Sequence, residues 1–544
     1  MKWLVLPPHR DVTLVPEVPE GWHLLDLARD FTRRVFSAGS VEAECLTRES
    51  SPPSAQTMRE LLLLRAAQGL RERGALSELR ALGAVLTAIS GSPHGVHLRL
   101  DDVELESGTT ERSADVQRVS GMPSPFSDDV AAVLARFEDA RCVRLWLERD
   151  LQLPAAVSLA QACPAHVALE VAGPFASTHR KVLARMPAFR RATFPEQVPA
   201  LRWRVRPLSG DTSVEDLVWI SDGLGLEVLA PSPWGDDQDW AVMEPDSARP
   251  ESGPEEGWLG RCALDDVRAY TGGARWAGHV SLGSLLAADA LVESGGHTVV
   301  VGFCGLASGR VVDPDHGFIP VELLVQGYQR LKAAGVRVVA EWWVGAPGVD
   351  EAALDATLAA LEGSRFFDHL AGVRPFHASV ERIARVRNPA RWWGQPGDAP
   401  ADRDLSRSRP VERPGTIPSA RLPGVLTSLA SRLMTRAPLS PGRVAAAFLL
   451  APPGLDGATH VRLDVDCAVV HLPATLEGAP KPSWYAANLR TGGVVAMDAR
   501  LAPVLARLTE ATDVASALPQ VPEAQRAKLV EMLVTKSILE RTHG

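Results

Sequence analysis

From Asp128 the chain settles into one rhythm, and that rhythm limits the folds open to it. Helix-period apolar spacing over 131–138 is followed by a strand-length apolar run at 142–147 and a helical stretch at 154–163. A second run at 167–171 and a helix at 176–187 follow, with the turn Gly173-Pro174 between them. A helix joining two strands through short turns returns the chain to the end from which it started, so the strands run parallel. The expected architecture is α/β, with an open doubly wound sheet in the N-terminal half.

Upstream, residues 3–6 read as a buried strand, 58–90 as helix broken near Gly74, and 96–105 as one strand. Residues 231–260, rich in Pro, Gly, Asp and Glu, read as a surface loop. The alternation then resumes with helix 284–294, strand 298–303, helix 320–334, strand 336–344 and helix 350–362. This predicts a parallel barrel with functional groups at the carboxyl ends of its strands. Residues 394–423 repeat Pro, Asp, Arg and Ser with almost no aliphatic side chains, which predicts a linker or a docked extended segment. Strands at 461–472, 484–489 and 493–497 and helices at 499–508, 512–518 and 523–539 predict a compact winged-helix domain. The expected boundaries are 1–205, 206–393, 394–440 and 441–544.

At 544 residues the chain has room for roughly three or four domains of ~100–200 residues each. Its net charge of −9 argues against a general binder of nucleic acid or anionic membranes. Residues 461–544 carry nine Lys/Arg and nine Asp/Glu, so the terminal domain has no charge excess with which to collect phosphates. No run of ~18 apolar residues occurs and residues 1–8 lack a secretory core, so the expected location is cytoplasmic. Cys45, Cys142, Cys163, Cys262, Cys304 and Cys467 are scattered singly, which gives neither a disulfide framework nor a zinc ribbon. Phosphate-loop, nucleophile-elbow and His-Glu-x-x-His patterns are absent.

Three segments, in order, resemble cobalamin-binding-domain radical SAM proteins that mature ribosomally made peptides. Leu153-Pro-Ala-Ala-Val-Ser-Leu-Ala160 and Val167-Ala-Leu-Glu-Val-Ala-Gly-Pro174 are similar to the helix and glycine-containing strand end of the family's Rossmann-like domain. Gly302-Phe-Cys-Gly305, Leu331-Lys-Ala-Ala-Gly-Val336, Val344-Gly-Ala-Pro-Gly348 and residues 369–376 resemble parts of its barrel. The C-terminal domain resembles the PqqD-like peptide-recognition module. The departures fall on cofactor positions. No Cys-x-x-x-Cys-x-x-Cys exists, Cys304 stands where the family has Glu, and Asp-x-His-x-x-Gly is missing.

The resemblance implies a SAM-like pocket at Cys304, Glu341, Gly345, Pro347 and Gly348, and a cobalamin-like loop at Gly173, Pro174 and Ser177. It also implies a peptide groove at Val494, Val495, Met497, Leu529 and Leu533. Each has a plainer reading. Cys304 suits a buried core, 345–348 a tight connection, and Glu341 an arginine partner. Cys262 beside Arg261 reads as a structural or exposed thiol, and Asp313-Pro-Asp315-His316 as a loop. His94 and His97 near Asp101 and Asp102 read as a polar turn rather than a metal site.

A [4Fe–4S] cluster needs three thiolates on one loop, so none is expected, nor is a metal or catalytic residue. SAM and cobalamin stay open. The expected function is a non-catalytic accessory protein that binds a precursor peptide, an active radical SAM subunit, or both, as a hetero- or homo-oligomer. The rival is an enzyme using Cys304, Glu341 and His279 as unconventional ligands for methyl transfer or oxidation. A structural subunit whose linker recruits a partner is the third reading.

Overall fold

The structure is a computed structural model that describes residues 1–196, 271–376, 402–434, 460–472 and 483–542 with short gaps, and short pieces between 198 and 262 and at 378–379. The surface loop expected at 231–260 lies outside the described residues, as do His94, Asp101, Asp315, His316, Pro347 and Gly348.

The N-terminal part opens with strands β1 (Lys2–Leu6), β2 (Leu14–Pro16) and β3 (His23–Asp26), then helices α1 (Leu27–Val35), α2 (Ala38–Glu49), α3 (Ala55–Leu70) and α4 (Ala75–Ile89). Three of these helices start where a side chain takes an orphan amide: Asp26 accepts from Arg29 N, Ser37 from Ser40 N and Ser54 from Thr57 N. The strand expected over 96–105 is instead a hairpin of β4 (Val96–Leu98) and β5 (Val103–Leu105). The Asp102 carboxylate accepts the Val103 amide, and this turn chemistry outweighs the alternating pattern. Then come α5 (Ser113–Val119), α6 (Ser127–Phe137), β6 (Cys142–Trp146), α7 (Leu153–Ala162), β7 (Ala168–Ala172) and α8 (Pro174–Leu183). Strands β3-β1-β6-β7 form one all-parallel sheet, in agreement with the alternation.

The second part comprises β8 (Trp203–Val205), β9 (Leu217–Ile220), β10 (Trp276–Val280), α9 (Ala288–Glu293) and β11 (Gly296–Phe303). An antiparallel meander follows, β12 (Gly305–Ala307), β13 (Arg310–Asp313) and β14 (Gly317–Pro320), which the sequence pattern did not announce. The chain continues through α10 (Val321–Ala333), β15 (Arg337–Val344), α11 (Glu351–Gly363) and β16 (His369–Pro375). The sheet order is β16-β15-β11-β10-β9-β8-β2, parallel from β16 to β9 and antiparallel at β8 and β2. Among the described residues β16 pairs only with β15, so the sheet is open there.

The two sheets pack face to face. Val5, Val143, Leu145 and Val171 of the first sheet share a core with its helices, while Val301, Phe303 and Val338 of the second share one with theirs. The remaining faces meet each other: Leu4, Leu6, Trp146 and Ala172 against Ala277, Val300, Val339 and Ala371. The layers are helix, sheet, sheet, helix, and burial on both faces explains the continuous apolar runs of the strands.

The last part contains α12 (Leu422–Met434), β17 (His460–Leu463), β18 (Cys467–Leu472), β19 (Ser483–Asn488), β20 (Gly493–Met497) and α13 (Ala502–Ala506). It closes with β21 (Thr512–Asp513), α14 (Val514–Ala517), α15 (Glu523–Thr535) and β22 (Leu539–Thr542). Two antiparallel sheets result, β21-β17-β22 and β18-β19-β20. The strand expected over 461–472 breaks because the Asp464 carboxylate and carbonyl accept the amides of Asp466 and Cys467.

This part is not tethered loosely. Ala468, Val470, Leu472 and Ala487 join the core beneath α3 and α4. A Cβ at Gly69 of α3 would sit 3.5 Å from the Ala468 Cβ. The expected linker is docked at Asp404 and Leu405. Leu405 is fully buried, its amide donates to the Glu111 carbonyl, and Asp404 accepts from the amide and hydroxyl of Ser113. Farther on, Leu429 and Leu433 of α12 enter the core of the second sheet. One leucine and one acid suffice for this clip, and a composition averaged over thirty residues conceals them.

His369, at the start of β16, is buried beside Arg80, Arg365 and Arg490; burial first and those cations next pull its pKa down to about 4. The unfolded chain therefore takes up a proton between about pH 6.5 and 4 that the folded chain refuses, and stability falls as pH drops through that window. We expect His369→Gln to remove about 2 kcal/mol of this loss, read from urea titrations at pH 7 and pH 4.5. An unchanged difference between the two pH values would show that His369 is not responsible.

Candidate functional site

Alternation from Ala277, Val300 and Val339 places His279, Gly302 and Glu341 on the inter-sheet face, toward the carboxyl ends of their strands. Glu341 is completely buried and its Oε1 lies 3.2 Å from Arg374 Nε on β16. Trp343, two residues beyond Glu341, stacks on His279 at a ring separation of 5.9 Å. Gly302 makes this stack possible. A Cβ there would stand 2.5–2.7 Å from three atoms of the Trp343 six-membered ring, so the indole lies flat across β11.

Cys304 does not join the group. By alternation it would follow Gly302, but β11 ends at Phe303 and the chain turns at Gly305, with φ at +146°. The thiol enters the helix-side core, and the Cys304 carbonyl accepts from Trp342 Nε1. Gly345, with φ at +93°, does form the sharp turn expected after β15. Its Cβ position would face Leu422 of α12 at 3.1 Å, so the protein's own helix covers this turn.

Gly173, Pro174 and Ser177 form the entry to α8, but their tightness serves the backbone. A Cβ on Gly173 would come within 2.4 Å of the Leu147 carbonyl oxygen, and the Ser177 hydroxyl donates to the Gly173 carbonyl. At the neighbouring carboxyl ends of β1 and β6, the crevice holds the protein's own side chains. Arg10 sits 3.6 Å from Asp26 and 3.4 Å from Glu148, with its guanidinium 4.6 Å from the ring centre of Trp203. Burial works against its charge, yet the Glu148 and Asp26 carboxylates outweigh it and hold Arg10 protonated. Buried Gln152 donates to the Pro7 and Trp146 carbonyls and accepts the Glu148 amide. Arg10, Gln152, Trp343 and Arg374 escaped the sequence reading. Only the parity of Trp343 with Glu341 offered a signal.

A cluster needs three neighbouring thiolates. Cys45, Cys142, Cys163, Cys304 and Cys467 are each buried in a different part of the chain. Burial pushes the Cys45 and Cys142 thiols up to about 11 and Cys467 to about 12, away from the metal-binding form. Among the described residues no group of three His, Cys, Asp or Glu side chains is placed to hold a metal.

The second candidate is the rim of the last part. Among the described residues β20 pairs only with β19, so half of its amides and carbonyls have no strand partner there. The residues expected to line a groove divide between the two faces of the strand. Val494 packs toward the α3 core, whereas Val495 and Met497 pack with Leu529 toward the terminal helices. Leu533 is only 1% exposed and is a core residue rather than a groove wall. Among the described residues no helix is long and apolar enough to cross a membrane.

Comparison of the chain with protein-family models, with curated proteins and with solved structures finds no match in any of the three.

Proposed function

We propose that the chain is a cluster-free accessory protein of peptide maturation, similar to cobalamin-binding-domain radical SAM proteins, that presents a precursor peptide in the cytoplasm or pairs with an active radical SAM subunit. In this reading 1–205 is a Rossmann-like scaffold, 206–393 a radical-SAM-like barrel scaffold, and 441–544 a PqqD-like winged helix. The carrying observation is a contrast. The inter-sheet face holds Trp343 and the crevice Arg10, while β20 has an edge unpaired among the described residues, beside the half-buried side chains of Val495, Met497 and Leu529.

An extended peptide added to β20 would gain main-chain hydrogen bonds, and alternate side chains would meet Met497 and Leu529. The test is fluorescence anisotropy with labelled peptides encoded by short reading frames beside the gene. One peptide is expected to bind at about micromolar strength, and Met497→Glu to weaken it at least about ten-fold with little change in thermal midpoint. Equal binding by the variant removes β20 from the reading.

Buried Glu341 and His279 at the carboxyl ends of parallel strands favour one rival, an enzyme with unconventional ligands. Iron and acid-labile sulfide after anaerobic reconstitution separate the two. About four irons per chain, as a [4Fe–4S] cluster requires, would overturn the accessory reading.

A further inference from the structure

At the β2–β8 edge of the inter-sheet layer, away from Glu341 and Trp343, lies a cleft of about 390 Å³. That volume is within the ~300–1,000 Å³ of small-molecule sites. Leu4, Arg144 and Trp146 of the first sheet form its floor, and the chain before β3 and before β8 forms its walls. Nothing in the peptide-presentation reading uses it.

Its chemistry is mixed in a specific way. Trp22, Trp146, Leu4, Val198 and Leu201 offer apolar surface, much of it aromatic. The charged lining is two arginines, Arg144 and Arg202, against one acid, Glu17. Glu17 is already 2.8 Å from Arg204 Nε and 3.7 Å from Arg202 Nε. Arg144 is held in place: its Nε donates to Glu170 at 2.7 Å and its guanidinium lies 4.1 Å from the ring centre of Trp22. Lys2 Nζ lies 5.6 Å from the same ring and adds positive charge. The indole Nε1 of Trp146 is buried and has no acceptor among the described residues. A buried donor without a partner is a costly arrangement, and an acceptor brought by a ligand relieves it.

We propose that this cleft binds a planar aromatic carboxylate, with its ring on the Trp146 surface and its carboxylate at Arg144. The guanidinium is already oriented, so the charge-assisted hydrogen bond forms without ordering a flexible side chain. The carboxylate belongs either to a free aromatic acid or to the C-terminal aromatic residue of a peptide.

Saturation-transfer NMR and calorimetry on the full chain test this with indole-3-acetate, neutral 3-methylindole, Gly-Gly-Trp and Gly-Gly-Trp amide. Indole-3-acetate or Gly-Gly-Trp is expected to bind at least about ten-fold more tightly than its neutral counterpart. Whichever acid binds tighter identifies the source of the carboxylate. Arg144→Gln is expected to remove that preference. Because Arg144 also pairs across the sheet, the rim variant Val18→Trp serves as the second probe; Val18 is 41% exposed and its replacement narrows the cleft without touching a core. No transfer from the wild-type chain at millimolar probe, equal binding of neutral and acidic probes, or unchanged binding by the folded Val18→Trp variant each overturns the proposal.

Discussion

Gly302→Ala is expected to lower the unfolding free energy by about 2–3 kcal/mol, a large effect for one methyl group. The added carbon would stand 2.5 Å from the Trp343 ring, and Trp343 has little freedom to yield. One side of its indole is stacked on His279, and the residue is only 6% exposed. The cost arises from forcing the indole off its rotamer and out of a close-packed layer. Trp343→Ala alone should cost about 3–5 kcal/mol by leaving a cavity. In the double variant the methyl group no longer has a ring to displace, so the Gly302 penalty should nearly vanish. Urea unfolding of the four proteins measures the cycle. Additive losses would show that the indole does not lie over Gly302. The glycine of Gly302-Phe-Cys-Gly305 thus has a packing reason in this chain.

The second large effect is expected at Arg80. Its Nε lies 2.7 Å from Asp466 Oδ1, and both side chains are buried where α4 meets the β17–β18 turn. Arg490 completes the node, 2.7 Å from Asp464 and 3.4 Å from Asp466. Burial, only partly offset by Arg80, already pushes the Asp466 carboxyl up to about 6. Arg80→Met removes the nearest cation and strands a buried carboxylate, at about 3–5 kcal/mol near pH 7. Asp466→Leu combined with Arg80→Met should restore most of that stability, because two apolar side chains can replace a buried pair. The sign with pH follows from the raised carboxyl. The stability it contributes is complete below the unfolded value near 3.8 and is lost as pH rises through about 6. The Arg80→Met penalty should therefore shrink on acidification. Hydrogen exchange adds a spatial readout, with protection expected to fall in α3 and β18 together. Loss confined to β18 would show that the two parts do not share a core.

The periodic elements were readable because local signals decide them. The runs ending at Val171 and Val344 are β7 and β15, and the helical spacing around Leu153–Ala162 is α7. Errors gathered where a short polar turn splits an apolar run, at Asp102 and Asp464. Such turns rest on one side-chain hydrogen bond, which apolar periodicity cannot register. The candidate site was less legible. Glu341 was recognisable as an inward carboxylate, but Arg374 reaches it from the neighbouring strand, and Cys304 turned away because β11 stopped one residue earlier. Leu405 and its neighbour Asp404 are the same lesson on a smaller scale: two side chains dock a segment whose average composition indicates solvent.

The amino-acid sequence by itself determined the α/β class, the parallel succession of strands and the absence of a cluster-binding cysteine motif, since each depends on residue type and spacing along the chain. Only the tertiary structure decided that two sheets face one another, that Trp343 lies in the slot left by Gly302, and that the terminal strands share a core with α3. Those outcomes depend on which faces are brought together across hundreds of residues, and the period of an isolated strand is the same whether its second face meets a ligand, water or another sheet.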